Sequence, residues 1–370
     1  KPVPWCWDCE TALADAELEY EDKTDSTVYV RFPVLNSDDV SFLVWTTTPW
    51  TLPANVGLAL HPDLEYITVE TEKGRFVFAQ TLEKSLQSKM GWQKCETIGI
   101  KKGKDFETAE ARHPFLEQNS KVILASYVSA EDGTGIVHIA PGHGEEDYQY
   151  GYLKNNLPVI SPVDSRGKFT KDFAEGAGLR VLKEGNEKVI EILKGKGALL
   201  HEEKYTHSYP HCWRCKKPII FRATPQWFMK IDHQGLRKKM GAAIQTGIHF
   251  TPDWGKNRIG SMVETRPDWS LSRQRYWGVP IPMLHCVGCK SAFPADRDKV
   301  RALFEKEGAD AWFARTSGEF ASGCPKCGSA ELKKEEDILD VWFDSGVSHQ
   351  AVLRNTPGLE YPADLYLEGS

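Results

Sequence analysis

Several things are missing from this 370-residue sequence, and each absence narrows its nature. It has no run of about 18 apolar residues, the least a membrane-crossing helix needs. It has no surplus of positive charge: 46 Lys and Arg stand against 52 Asp and Glu, a net −6, so nothing draws the whole chain to nucleic acid. A local basic groove is still allowed, because binding charge acts where it clusters. There is no internal repeat and no low-complexity tract. With 41% hydrophobic and 26% charged residues, a mostly disordered chain is excluded. The sequence starts at Lys1 with no basic-then-apolar leader, which reads as a piece of a longer, cytoplasmic protein rather than a secreted precursor. At about 150 residues per domain, two or three domains are expected.

What is present in excess is paired cysteine. Eight of the nine cysteines form Cys-x-x-Cys pairs: Cys6/Cys9, Cys212/Cys215, Cys286/Cys289 and Cys324/Cys327. Two residues between thiols let one turn aim both sulfurs at one point, and two such pairs complete a tetrahedral zinc site. Disulfides are the rival reading, but a chain this long needs no staples to build a core. A redox pair would need only one copy. Cys95, left over, reads as a small buried residue. Cys286/Cys289 and Cys324/Cys327 are close enough for a zinc ribbon, leaving Cys6/Cys9 and Cys212/Cys215 for each other. A metal there would clip together the two ends of a large insertion; pairs that hold no metal are the alternative.

Hydrophobic patterning gives the insertion its class. Val28–Val34 alternates as a half-buried strand does. Ser41–Trp45, Tyr66–Val69, Arg75–Phe78 and Lys121–Val128 also read as strands, with Asp132-Gly133 as a turn. Asn186–Lys194 reads as a helix with Val189, Ile190 and Leu193 on one face, stopped by Gly195 and Gly197. A β-barrel-like domain with a few helices is expected. Beyond Cys215, Pro225–Met229, Gly235–Ile244 and Asp296–Glu307 read as helical, and Gly278–Pro282 as extended.

Two segments of the insertion carry chemistry. In Trp45–Asn55, four threonines crowd two prolines at a strand end; Pro49 and Pro53 keep the backbone from pairing with a neighbour. Hydroxyls and free N–H groups suit the oxygens of a sugar phosphate or an ester. The plain alternative is a β-branched strand that merely ends. In Gly133–Tyr148, glycines permit close approach to a ligand, and two histidines and three carboxylates follow. A metal hydrolase with ligands His138, His143 and Asp147 is one reading; acidic residues capping a helix near Glu145 is the other. The five-residue step from His138 to His143 fits a loop better than one ligating helical face.

Taken together with His211–Phe228 (HCWRCKKPIIFRATPQWF), Ser272–Pro282 (SRQRYWGVPIP) and Asp340–His349 (DVWFDSGVSH), these runs resemble the middle of the isoleucyl branch of the class I aminoacyl-tRNA synthetases. The leucyl and valyl branches share the architecture, but they usually carry an arginine before the proline in the Thr46–Thr51 run. The resemblance implies a mixed α/β chain: a barrel-like editing domain, connective peptide 1, inserted through zinc knuckles into part of a Rossmann-type catalytic domain. The expected divisions are 1–20 and 206–225 for the two halves of the knuckle base, 21–205 for the editing domain, and 226–370 for partial catalytic domain with a ribbon at 283–330. It implies hydrolysis of valine wrongly esterified to tRNA(Ile). One methylene is worth only about 1–3 kcal/mol to a binding pocket, a magnitude for which this branch of enzymes is itself the standard example.

The implied roles follow by position. Asp147 pairs with the substrate ammonium, and His138 walls the side-chain pocket against isoleucine. Thr46, Thr47, Thr48, Thr51 and Asn55, with Trp50 beside them, hold the terminal adenosine and a water. Glu368 and Trp277 are candidates for binding on the synthetic side, and Arg273, Arg275 and Trp342 either line that pocket or pack a junction. Up to two structural zinc ions are implied, on Cys6, Cys9, Cys212 and Cys215 and on Cys286, Cys289, Cys324 and Cys327. The ATP signatures His-Ile-Gly-His and Lys-Met-Ser-Lys-Ser are absent from the sequence, so ATP and Mg belong to the full-length enzyme. Expected partners are the tRNA(Ile) 3′ end and valine and isoleucine esters, with no membrane and a monomeric state. A tRNA-docking module that does not cut, which Lys101, Lys102 and Lys104 could serve, and an editing fragment of a valyl or leucyl relative are the alternatives.

Overall fold

The computed structural model describes residues 1–37 and 39–367, in two units, Lys1–Pro225 and Gln226–Ser370. The first unit stands on a three-stranded base in which Pro2–Cys6 pairs antiparallel with Ile220–Ala223 and with Thr11–Ala12. A long ribbon rises from it: Leu18–Pro33 runs antiparallel to Leu199–Cys212, from Leu18 opposite Cys212 to Val30 opposite Leu199. The outer part of this ribbon is polar and largely exposed, whereas Val28, Tyr29, Val30 and Phe32 are buried. The strand is therefore a solvated two-stranded arm at one end and a core strand at the other.

The core end belongs to a six-stranded sheet ordered Leu199–Cys212, Leu18–Pro33, Val40–Thr46, Gly74–Ala79, Glu65–Thr71, Cys95–Lys102. A four-stranded sheet runs Ile136–Ile139, Gly57–Leu60, Asn119–Leu124, Glu110–Arg112. Each contains one parallel pair among antiparallel ones. Phe32, Phe42, Leu58, Leu60, Tyr66, Phe76 and Phe78 are fully buried and form the hydrophobic interior. Neither sheet closes, so the barrel-like expectation is corrected: Cys95–Lys102 is an edge with one neighbour, and beyond Glu110–Arg112 there is an isolated bridge, Val34 to Ala111. The Cys95–Lys102 edge carries Glu96, Lys101 and Lys102 in solvent, charges that discourage further pairing. The helix Glu184–Gly195 buries Val189, Ile190, Ile192 and Leu193.

The second unit is built from helices Leu236–Thr246, Gly255–Thr265 and Arg297–Glu307 and three small antiparallel sheets. The expected helix over 225–229 is instead a strand, Phe228–Met229, paired with Trp269–Ser270. Two adjacent large side chains fit a pleat, and a partner strand decides the matter. Among the described residues of this unit no strands pair in parallel, so the Rossmann-type sheet expected here is not found in it. Met283–Cys286 pairs with Ala292–Pro294 and with Leu332–Lys334 over a small core of Leu284, Ala295, Val300, Trp312 and Phe320. No helix among the described residues is long and apolar enough to cross a membrane.

Candidate functional site

Strand Val40–Thr46 ends where Pro49 starts a 3-10 turn, Pro49–Ala54, which is buried throughout. The turn folds the threonines onto one another. The Thr48 N–H donates to Thr46 Oγ1 (3.1 Å), and the Thr51 hydroxyl donates to the Thr48 carbonyl (2.8 Å). With its one hydrogen spent, Thr51 Oγ1 can only accept from His138 Nε2, 2.9 Å away. The tautomer of His138 follows: Nε2 carries the proton, and Nδ1 is a bare, buried lone pair with no partner among the described residues. This bond ties the threonine turn to the strand Ile136–Ile139.

A third histidine, which no sequence motif marks, holds the turn in place. His113 Nε2 donates to the Leu52 carbonyl (2.9 Å), while Nδ1 accepts the N–H groups of Phe115 (3.2 Å) and Leu116 (3.0 Å). His143 donates from Nδ1 to the Phe221 carbonyl (2.7 Å) and meets the Trp50 ring edge-on at 5.1 Å. Burial holds all three imidazoles neutral, with His113 and His143 lowered to about 4 and His138 to about 3. The run Ala-Arg-His-Pro-Phe around His113 has no chemical signature of its own; only the fold reveals its role.

Asp147 sits in the first turn of the helix beginning at Glu145, where the helix dipole favours its charge. Burial wins: its carboxyl is pushed up to about 7, although the Ala140 N–H donates to Oδ2 at 2.8 Å. Gly144 is packed so closely that a Cβ there would come within 3.0 Å of the Asp147 carboxyl carbon. Thr47, Thr48 and Trp50 line a notch of about 10 Å³ with Lys23, Asn186 and Tyr209, at the threshold for one water. Asn186 fixes its wall by accepting the Trp50 N–H (3.0 Å). Asn55 is placed otherwise. It is fully buried, its Oδ1 accepting from Ser120 (2.5 Å) and its Nδ2 donating to Gly57 (2.8 Å), so both ends of its amide are used inside the fold.

The cysteines come together as two tetrads, Cys6, Cys9, Cys212, Cys215 and Cys286, Cys289, Cys324, Cys327, with ligand atoms within 4.8 Å in each. All are free thiols, and neighbouring sulfurs are 3.5–3.6 Å apart. That is too far for a disulfide of about 2.05 Å. It is close to the roughly 3.8 Å that a tetrahedron of 2.3 Å zinc–sulfur bonds requires. The four turns repeat one geometry: the residue after each second cysteine, Glu10, Lys216, Lys290 or Gly328, is left-handed. Each tetrad can hold a metal ion, and four thiolates would supply a closed structural site. His138, His143 and Asp147 form no such group.

In the second unit Arg273 is paired with Asp340 at 2.8 Å, both 1% exposed. Arg273 is thus held in the packing of this unit. Trp277 is 93% exposed, and Trp342 is exposed as well. Glu368 lies outside the described residues.

A family model described as tRNA synthetases class I (I, L, M and V) matches residues 1–370. The chain belongs to the class I tRNA synthetases. Isoleucine–tRNA ligases align along all of it. That of Petrotoga mobilis is 48% identical over 376 residues, covering 100% of this chain and 41% of that protein. That of Thermotoga maritima gives the same figures, and that of Moorella thermoacetica is 47% identical over 381 residues, covering 100% and 40%. This synthetase chain therefore spans about two-fifths of the length of these relatives. A solved structure described as "The crystal structure of GlLeuRS-CP1" covers 50% of the chain and 99% of its own length, at TM-score 0.37 and 15% identity, too remote a likeness to fix the fold.

Proposed function

We propose that the first unit is the editing domain of an isoleucine–tRNA ligase and hydrolyses valine from mischarged tRNA(Ile). The observation that carries the reading is the Thr51–His138 bond, which joins the hydroxyl-rich turn to the segment that ends in Asp147. Water attacks the ester carbonyl, the bond to the ribose oxygen breaks, and that oxygen takes the proton. Thr47 and Thr48 hold the water in their notch. An ester of a ribose hydroxyl is an activated acyl group, so orientation and polar donors supply much of the acceleration.

Asp147 receives the substrate ammonium. A cation arriving beside a carboxyl poised near 7 favours its ionised form, so binding and ionisation reinforce each other. His138, with its basicity lowered to about 3, is a poor proton acceptor at neutral pH and serves as a rigid wall that limits side-chain size. The two tetrads hold structural zinc. In the whole ligase, isoleucine, ATP and tRNA(Ile) are the substrates, and the second unit belongs to the synthetic half.

A deacylation assay on Val-tRNA(Ile) tests this. Asp147→Ala is expected to lower hydrolysis about 100-fold, as removal of an orienting ionic partner does, with the fold kept. Wild-type rates in that variant would refute the assignment.

A further inference from the structure

A cavity of about 390 Å³ in the first unit has a floor of Trp7, Val181, Leu182 and Pro218 and a rim of four cations, Lys23, Arg180, Lys183 and Lys217. No carboxylate lines it. Lys217 already pairs with Asp8 (2.6 Å) and Lys23 with Asp25. Among the described residues Arg180 and Lys183 have no acidic partner. Arg180 lies instead 5.1 Å over the Trp7 ring, and the Lys217 ammonium 5.3 Å from the same ring.

The indole is not free to turn. Its Nε1 donates to the Pro218 carbonyl (2.8 Å), and left-handed Gly167 packs on it so closely that a Cβ would approach Trp7 Cβ to 2.9 Å. Arg180 is fixed through its backbone, whose carbonyl accepts the N–H groups of Lys183 (3.1 Å) and Gly185 (2.8 Å). An apolar floor bounded by two unpaired cations matches a flat base joined to a phosphate.

The cavity adjoins the candidate site. Lys23 and Leu182 line both this cavity and the notch of Thr47 and Thr48. The geometry points to the cavity as a docking subsite for one unpaired nucleotide, its phosphate on Arg180 and Lys183, on the RNA strand whose terminal ester reaches the threonine notch. This rests on the function proposed above. It explains how a chain of net charge −6 takes up a polyanion: the positive charge is local and leads to the chemistry.

The test uses the 370-residue chain and two RNA hairpins, one with a four-nucleotide unpaired 3′ tail and one blunt. Arg180→Ala/Lys183→Ala changes two exposed side chains, and circular dichroism verifies the fold. The tailed hairpin is expected to bind roughly tenfold more weakly, with the slope of log affinity against log salt lower by about 0.7, the share of the one phosphate no longer neutralised. Blunt-hairpin binding should change far less. Equal tailed-hairpin affinity in the variant overturns the proposal, as does an equal weakening for both hairpins, which would be general electrostatics. Competition by AMP as strong as by the tailed hairpin would give the cavity to a free mononucleotide and also overturn it. The two proposals fail separately. If the wild type leaves valyl esters intact while tail-dependent binding still needs Arg180 and Lys183, the hydrolytic reading falls and the docking subsite stands. If esters are cut and tail binding ignores both residues, the subsite alone falls.

Discussion

The same cysteine tetrad occurs twice in this chain and holds unlike things together. The Cys6–Cys215 tetrad closes a base whose strands already pair, Pro2–Cys6 with Ile220–Ala223 and Leu18 opposite Cys212, beneath two sheets with a large aromatic and aliphatic interior. The Cys286–Cys327 tetrad clamps short strands over a core of five buried residues. With a metal ion bound, an identical donor set would be reinforcement in the first setting and a main source of order in the second. Small modules cannot bury enough surface to fold unaided, and metal binding becomes their folding energy.

The largest expected effect follows from that difference. Stripping metal with a chelator should unfold the 283–334 ribbon, since structural zinc sites of this kind contribute on the order of 10 kcal/mol. Trp312, fully buried, reports it by a red shift of its emission. Cys215→Ser, by contrast, should weaken the first unit by only roughly 2–4 kcal/mol and leave its sheets folded. A ribbon that stays folded without metal breaks the comparison.

The polar site sharpens it next. Thr51→Val removes the acceptor for His138 Nε2–H but keeps the shape. The buried donor left behind should destabilise the first unit by about 1–3 kcal/mol and slow valyl-ester hydrolysis about tenfold, with the ribbon untouched. Thermal unfolding followed beside the deacylation rate checks both halves.

Acid should distinguish the regions more gently. His113, His138 and His143 titrate near 4 or below in the fold against 6.5 when unfolded, so the unfolded chain gains up to three protons as pH falls below 6.5. Asp147 acts oppositely. It binds its proton more tightly when folded, and stability rises as pH falls from about 7 toward 3.8. Three protons outweigh one, so the first unit should lose stability between pH 6.5 and 4, at no more than about 2–3 kcal/mol per pH unit. Chemical denaturation of the first unit at a series of pH values measures the slope, and a flat profile contradicts the buried histidines.

Much of this is legible in the sequence where the signal is local. Strands over 28–34, 41–45, 66–69 and 75–78 announce themselves by alternation or β-branching, and the helix over 186–194 by its one apolar face. The pairing of the cysteines is readable from spacing alone. The polar arm Leu18–Ser26 is invisible because both its faces meet water, so no period-two pattern exists to read. Closure of the sheets is illegible for a different reason: whether edges meet is a property of the whole fold. His113 escapes notice because its function is to bond three backbone groups, which leaves no mark in residue type. Asn55 sits in the threonine-rich motif yet spends its amide on Gly57 and Ser120, showing that membership of a motif does not fix what a side chain touches.

The central claim is that His138, held by Thr51, limits the size of the amino acid whose ester is cut. Initial rates on Val-tRNA(Ile) and Ile-tRNA(Ile), measured side by side for wild type and His138→Ala, test it most directly. The account predicts a wild type that cuts only the valyl ester and a variant that cuts both. A wild type indifferent to the extra methylene, or a variant that still spares isoleucine, would contradict it.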